Sequence, residues 1–397
     1  MAEISVGSGS PFTPGYGKQP LVFGGHHEVV AELTSVFETY DFGENHSILI
    51  SGLRGAGKTS MLGVLRDAAK SHGWFVVSDN AGAGLVDRVS RSTMPQLLES
   101  LTGSERTRLT GLQLAQLGLQ WTTERTGPEP KPLLRHQLAA LAAARDNGGI
   151  LITVDEVSSG KTRLRELGRF ALELQHALEE GLNIMVAFAG VKIDLDELVK
   201  QQHLTFLRRS REVDFRLLAP SETRDVFAQT VGLGGRAIDD DALDLLVRVA
   251  QGYPYLIQLA GDYAWRHNVT APQISLADAK DAHQRAIKAV TSRVISRVWD
   301  DLSEQDQTFL RALAGGGGRR KMAEIADRMG RSSQYVNIYK QRLVDSGYVQ
   351  PDGRGYVAFS LPYLDQYISS LGQGDATDDD VQPASGDTWN DYPPPEL

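Results

Sequence analysis

The sequence predicts an α/β chain: a mostly parallel sheet between two helical layers, then helices alone, then a small module of three helices and a hairpin. Three observations carry this. Five short β-rich runs, at 47–51, 74–78, 150–154, 184–189 and 213–217, alternate with helix-like segments, a pattern that puts parallel strands under helices on both faces. The first run leads directly into a glycine-rich turn that opens a helix. After Pro220 the β-rich runs stop while helical spacing continues.

The elements follow in order. Residues 1–20, with Gly7, Gly9, Pro11, Pro14, Gly15, Gly17 and Pro20, read as a flexible arm. Over 28–40 the apolar Val29, Val30, Leu33 and Val36 recur at helical spacing, so a helix precedes the first strand. The α/β domain is expected over 21–218. Within it 109–123 alternates Leu and Gln and suggests an extra hairpin, closed by Thr126-Gly127-Pro128-Glu129-Pro130. A helical lid is expected over 219–300, from helices at 221–231, 239–250, 255–267 and about 275–299, the third opened by Pro254 in its first turn. The region 301–370 reads as a helix at 304–314, a glycine turn at 315–318, helices at 321–329 and 332–345, and a two-strand hairpin over 348–359. Three helices followed by a hairpin is winged-helix order.

Composition narrows the function classes. With 397 residues, 41% hydrophobic and 23% charged, the chain has material for two or three domains and is not disordered as a whole. Its longest apolar runs fall far below the roughly 20 residues of a membrane span, and no basic-then-apolar leader opens it. No membrane partner and a cytoplasmic location are therefore expected. The absence of cysteine excludes disulfides, thiol catalysis and cysteine-ligated zinc. The nine His show no metal-ligand spacing, and His26 and His27 read as a polar loop. The net charge of −9 is unevenly spread. Asp375, Asp378, Asp379, Asp380, Asp387, Asp391 and Glu396 crowd a proline-rich terminal stretch, so 371–397 reads as an acidic disordered tail on a nearly neutral body.

The sharpest motif is Gly52-Leu53-Arg54-Gly55-Ala56-Gly57-Lys58-Thr59, followed by Ser60. It is a complete GxxxxGK[ST] between a strand and a helix. Its glycines let backbone N–H groups converge on phosphate, the helix N-terminus adds positive potential, Lys58 reaches the β and γ phosphates, and Thr59 ligates Mg²⁺. The similar Gly160-Lys161-Thr162 fails as a phosphate loop, because Asp155 stands where the first glycine is needed and no strand is expected to lead in. A second motif, Gly149-Ile150-Leu151-Ile152-Thr153-Val154-Asp155-Glu156, is an apolar strand ending in two acids. Asp155 is placed to hold Mg²⁺ through water and Glu156 to polarise an attacking water. The expected ligands are ATP and ADP with Mg²⁺.

With these motifs the chain resembles the AAA+ ATPases, in the branch that holds the origin-recognition-type replication initiators of archaea and eukaryotes and the STAND signalling ATPases. The layout is also similar to uncharacterised ATP-binding proteins of actinobacteria. The resemblance spans about 20–362 and adds Phe23-Gly24-Gly25-His26-His27-Glu28, where the branch has its adenine-side glycine box, and Gly252-Tyr253-Pro254-Tyr255 in the lid. It implies that Gly24 and Gly25 border the nucleotide. It also implies that Arg208, Arg209 and Arg211 stand where the family carries an arginine finger acting on a neighbour's ATP, with Arg209 the residue assigned that role. Three departures stand out: His26 replaces the arginine of the box, Val186-Ala187-Phe188-Ala189-Gly190 offers no polar sensor 1, and Tyr255 replaces the sensor 2 arginine. Since both sensors orient the γ-phosphate end of the site, the resemblance implies an ATPase of low intrinsic turnover.

Over 311–361 nine Lys or Arg face Glu324, Asp327, Asp345 and Asp352, a local excess of positive charge. Ser332 or Ser333 caps the third helix, and Gln334, Tyr335, Asn337, Lys340 and Gln341 suit base edges or phosphate, with Arg354 at the hairpin tip suited to a minor groove. Lys340, Arg342 and Arg354 are the cations expected to meet phosphate. The leading reading is an ATP-dependent switch whose winged helix contacts duplex DNA. Its rivals are a STAND-like regulatory ATPase whose winged helix is an internal latch and whose target is a protein, and an accessory that loads another factor in transposition or repair. Self-association is compatible with each. The Lys58→Ala variant is expected to stay folded and lose ATP binding, because the side chain serves phosphate rather than core. Titration with a fluorescent ATP analogue checks this, and unchanged affinity in a folded variant overturns it.

Overall fold

All five apolar runs become strands: β1 (Ser47–Gly52), β2 (Phe75–Asn80), β3 (Ile150–Val157), β4 (Ile184–Gly190) and β5 (Arg211–Phe215). The computed structural model describes residues 9–15, 17–104, 133–201, 203–315 and 317–371, with side chains at 102–104 excepted. The hairpin expected over 109–123 and the tail 372–397 lie outside the described residues. These residues fall into two units, one comprising His26–Gly52 and Lys58–Phe215, the other the described parts of Met1–Gly25, Leu53–Gly57 and Arg216–Leu397.

In the first unit the strands form one parallel sheet in the order β2-β3-β4-β1-β5. Every residue of β4 is buried, so both faces of the sheet are covered. Side chains alternate between faces. Leu49, Ile152, Val186 and Phe188 join Leu138 and Leu141 of the helix Leu134–Ala143 and Phe170 and Leu174 of the helix Lys161–Glu179 in one core. The helix Lys58–Ser71, which buries Met61, Leu62 and Leu65, packs against β1 to β4. Since β1 and β3 both neighbour β4, their carboxyl ends stand two strand spacings apart, about 10 Å. Residues leaving those two ends can therefore meet over the end of β4, the crevice where ligands of open parallel sheets bind.

The second unit holds the helices Pro220–Leu233, Asp240–Ala250, Pro254–His267 and Leu276–Val290. The single helix expected over about 275–299 is divided. After Val290 the turn widens over Thr291–Ile295 before the helix resumes as Ser296–Asp301. Arg293 lies in this wide turn and hydrogen-bonds to Tyr255, a pairing that holds its guanidinium above the ordinary arginine range. A turn of this kind re-aims a side chain that regular spacing would place elsewhere. Two short parallel strands, β6 (Ala237–Ile238) and β7 (Gln273–Ile274), were not legible in the sequence. Within the arm read as flexible, Phe12 is only 2% exposed and lies 6.0 Å from Phe227, ring to ring. The Thr13 N–H donates to Gln258 Oε1 at 2.8 Å.

The C-terminal region has the helices Glu304–Leu313, Met322–Met329 and Ser333–Asp345 and strands β8 (Arg319–Lys321), β9 (Val349–Pro351) and β10 (Tyr356–Phe359), antiparallel in the order β8-β10-β9. A two-strand hairpin was expected. The third strand arises because Arg319–Lys321 pairs with β10, where the Arg319 guanidinium also sits 3.9 Å over the Tyr356 ring. A last helix, Leu364–Leu371, follows and was also unanticipated. One core runs from Phe12 and Leu246 through Ile257 and Trp299 to Phe309, Val336 and Ile368, so the helices of the lid and the C-terminal region share an interior.

Several cations counted above as a basic surface serve this core instead. Arg320 donates to the carbonyls of Leu313, Ala314 and Gly315, and Arg328 to those of Ala312 and Ala314, closing the exposed end of the helix Glu304–Leu313. Arg342, expected to meet DNA phosphate, turns inward. Its Nε donates to Asp306 Oδ1 at 2.9 Å, and its Nη2 to Asp306 Oδ2 and, at 2.6 Å, to Ser303 Oγ. Asp306 is buried, and an unpaired buried carboxylate is costly. Arg342→Met is thus expected to lower unfolding stability by about 1–3 kcal/mol, whereas Lys340→Ala should stay within about 0.5 kcal/mol of wild type. Urea unfolding of the two variants tests the contrast.

Candidate nucleotide site

The strand β1 ends at Gly52, the helix Lys58–Ser71 begins six residues on, and the phosphate-loop sequence is the turn between them. Lys58 Nζ donates to the Gly52 carbonyl at 2.8 Å, which folds the ammonium back over the loop's own first residue. Thr59 Oγ1 donates to Asp155 Oδ2 at 2.6 Å. The ends of β1 and β3 therefore do meet across β4, and they meet through the two side chains expected to share a metal.

Asp155 and Glu156 occupy an irregular strand end. Asn80 pairs with Asp155, and Val154 opposes Phe188, but the register then slips so that Val157 opposes Gly190. Glu156 lies in that slip with φ of 56°, a left-handed conformation that costs a non-glycine residue about 1–2 kcal/mol. The Glu156 N–H donates to Asp155 Oδ1 at 2.8 Å, and Asn80 Nδ2 reaches Glu156 Oε2 at 3.4 Å. Thus the two carboxylates point apart, one toward Thr59 and one toward Asn80. Sequence reasoning missed Asn80; its only signal is the polar Ser78-Asp79-Asn80 that closes an otherwise apolar strand.

The donor set fits Mg²⁺. A hydroxyl and a carboxylate are hard oxygen ligands, and Mg²⁺ is ordinarily held by one or two protein oxygens, with phosphate and water completing its shell. Among the described residues no cluster of three His, Cys, Asp or Glu could hold a metal unaided.

The middle of the loop, Leu53–Gly57, packs within the second unit. Tyr253 OH donates to the Arg54 carbonyl at 2.6 Å, and burial pushes the phenol up, so it remains a donor throughout the neutral range. Gly55 has φ of 80°, and a Cβ there would overlap the Tyr253 hydroxyl, so the glycine is needed for conformation and for contact. Leu53 meets the C-terminal region: a Cβ on Gly347 would lie 2.9 Å from Leu53 Cδ2. Gly24 and Gly25 lie against Leu218, Gly24 also against Val226, while His26 stacks on Phe215 in the first unit, centroids 4.0 Å apart.

The remaining expected residues divide. The end of β4 carries no polar side chain, and a Cβ at Gly190 would come within 2.9 Å of the Val157 carbonyl, so none fits there. Tyr255 lies in the first turn of the helix Pro254–His267, with Arg293 bonded to it. Arg208 and Arg209 are exposed on the short helix Thr205–Arg209. Arg211 is not: it pairs with Glu32 and donates to Asn45 Oδ1 at 3.0 Å, and its hydrogen bond holds the Glu32 carboxyl below its usual value. Arg211 is therefore a structural cation rather than a finger. Contrary to expectation a strand does lead toward Gly160-Lys161-Thr162, since β3 runs to Val157. The absent first glycine still disqualifies that turn, because Asp155 occupies the position and is bound to Thr59.

Of the expected DNA-facing residues, Gln334, Asn337, Gln341 and Arg354 are exposed and Lys340 is half-buried. Tyr335 is turned inward, its hydroxyl donating to Gln305 Oε1 at 3.0 Å.

If strain at Glu156 is held only for the site, removing the side chain should relieve it. Glu156→Gly is expected to be at least as stable as wild type, by up to about 1 kcal/mol, and inactive. Urea unfolding beside a phosphate-release assay checks both; a less stable variant would mean that the bond to Asn80 outweighs the strain.

Comparison with known proteins agrees with this geometry. Residues 23–187 match the family model described as AAA ATPase domain, and residues 292–368 match a domain of unknown function, DUF8462. No curated protein sequence matches the chain. The Walker-type ATPase PABY2304 of Pyrococcus abyssi is similar in structure, with a TM-score of 0.59 and 14% identity over 87% of this chain and 96% of that one. The ORC2 protein of Aeropyrum pernix, solved as ADPNP and ADP complexes, has a TM-score of 0.58 and 15% identity over 91% of this chain and 97% of that one. At such identities the likeness is one of fold. The sheet order, the loop after β1 and these matches together show the P-loop α/β fold of the AAA ATPases.

Proposed function

We propose that this chain is an ATP-binding AAA+ switch with slow Mg²⁺-dependent hydrolysis, whose C-terminal region is a winged helix that contacts duplex DNA according to the nucleotide held. The observation that carries the nucleotide reading is the 2.6 Å contact between Thr59 and Asp155, which joins the two motifs at one point. The ORC2 protein's ADPNP and ADP complexes support the same ligand class.

In this reading the backbone N–H groups of Gly52 to Thr59, with Ser60, cradle the phosphates, and Gly24 and Gly25 border the base. Lys58 exchanges the Gly52 carbonyl for phosphate oxygen. Thr59 and Asp155 would hold Mg²⁺, which neutralises charge on the phosphates. Glu156 accepts a proton from the attacking water while Asn80 fixes the carboxylate's direction. Turnover is slow because β4 ends without a polar residue and Tyr255 takes the place of a lid arginine, which leaves the γ-phosphate end short of fixed donors. Arg209, or its neighbour Arg208, supplies the missing charge from a second copy of the chain.

A second reading is favoured by one contact, Gly347 against Leu53, which seats the turn after the helix Ser333–Asp345 on the phosphate loop. There the winged helix is an internal latch and the target is a protein, as in STAND-like regulation. The two readings separate on DNA. Glu156→Gln is expected to bind ATP as wild type does and to lose hydrolysis, because shape is kept and only the proton acceptor is lost. With ATP trapped in this way, duplex DNA affinity should differ at least several-fold from the ADP state and fall steeply with salt. Fluorescence anisotropy measures it. DNA binding that is absent at low salt in both states would transfer the case to the latch reading.

A further inference from the structure

We infer that the outward face of the helix Ser333–Asp345 reads A·T base pairs in the DNA major groove, an inference that rests on the DNA-contact reading above. The face is set by the fold. Val336 and Leu343 are buried, and Tyr335, Tyr339 and Arg342 are tied to the neighbouring helix and to one another. What remains outward is Gln334, Asn337, Ile338 and Gln341, spaced as one stripe along a helix. Ile338 is 66% exposed, the highest value for a large hydrophobic residue among the described residues.

The chemistry of that stripe is selective. A carboxamide donates and accepts side by side, which matches N6 and N7 of adenine. An aliphatic side chain matches the thymine methyl group, whereas guanine is read by arginine or lysine. Gln334, Asn337 and Ile338 supply two amides and one aliphatic group in the first half of the helix, the part that reaches base edges when a recognition helix enters the groove. Gln341 is committed to Asp345, its Nε2 donating to Oδ1 at 2.8 Å, and does not join them. The cations lie off the stripe. Arg331 precedes the helix and lies 5.3 Å over the Tyr335 ring, Lys340 is on its flank, and Arg354 is exposed in the turn between β9 and β10. Such placement suits phosphate contact without base preference. A protein partner would find the same Ile338, but the pairing of two carboxamides with cations on the flank, Arg331, Lys340 and Arg354, suits base edges bordered by phosphate.

The test uses the full chain, saturated in turn with ADP and with a nonhydrolysable ATP analogue, and two duplexes of equal length, one of A·T pairs and one of G·C pairs. The A·T duplex is expected to bind about tenfold tighter or more, as two or three base contacts would provide. Replacing adenine by 7-deazaadenine removes the N7 acceptor, and replacing thymine by uracil removes the methyl; each should erode the preference. Asn337→Ala should make the protein insensitive to the first change and Ile338→Ala to the second. Lys340→Ala with Arg354→Ala should weaken both duplexes alike and lower the salt slope by about two. Equal binding of the two duplexes, or indifference of the wild type to both base analogues, overturns the inference while leaving DNA contact intact. Failure to bind either duplex at low salt overturns the DNA reading and this inference with it.

Discussion

The hydrogen bond between Thr59 and Asp155 is possible only because β1 and β3 flank the same strand, and most of what the first unit does depends on that constraint. In the central strands β1, β3 and β4, buried to near their ends, polar groups reach the surface only where the strands finish. Here two ends, one carrying a helix start and one carrying two acids, are fixed about 10 Å apart by strand spacing. The register slip after Val154 then turns Glu156 away from Asp155 and toward Asn80. Two adjacent carboxylates thereby acquire different partners, which is the condition for giving them different roles.

The phosphate loop has a second set of constraints. Its central residues pack within the helical unit, where Tyr253 fixes the Arg54 carbonyl and Gly347 meets Leu53. Any displacement of Leu53–Gly57 would therefore meet Tyr253, a buried tyrosine of the second unit. The lid helices and the C-terminal region share one core, so a displacement at Tyr253 has a packed path to the helix Ser333–Asp345. That path is what a nucleotide-dependent switch of either proposed kind requires.

Charge proves a poor guide to surface in the C-terminal region. Arg320 and Arg328 close a helix end, Arg342 neutralises buried Asp306, and Arg319 pairs with Asp352. An arginine fork satisfies several carbonyl or carboxylate oxygens at once, so helical modules with few residues use it as internal bonding. The cations left for a partner are fewer and lie beside the outward stripe rather than on it.

The sequence by itself determined the five strand positions, the turn that joins β1 to a helix, the acids that end β3 and the order of helices after Pro220. Each of these is encoded locally, by apolar runs, glycine spacing or 3.6-residue periodicity, and local signals survive in one dimension. Only the tertiary structure decided the rest. Asn80 matters because of the strand beside it, Arg211 and Arg342 are structural because of acids 179 and 36 residues away in sequence, and β8 exists because β10 offers it an edge. The wide turn at Thr291–Ile295 and the burial of Phe12 are likewise answers to distant partners. Long-range pairing leaves no periodic trace in the chain, so the same arginine reads alike whether it faces a phosphate, a carboxylate or a helix end.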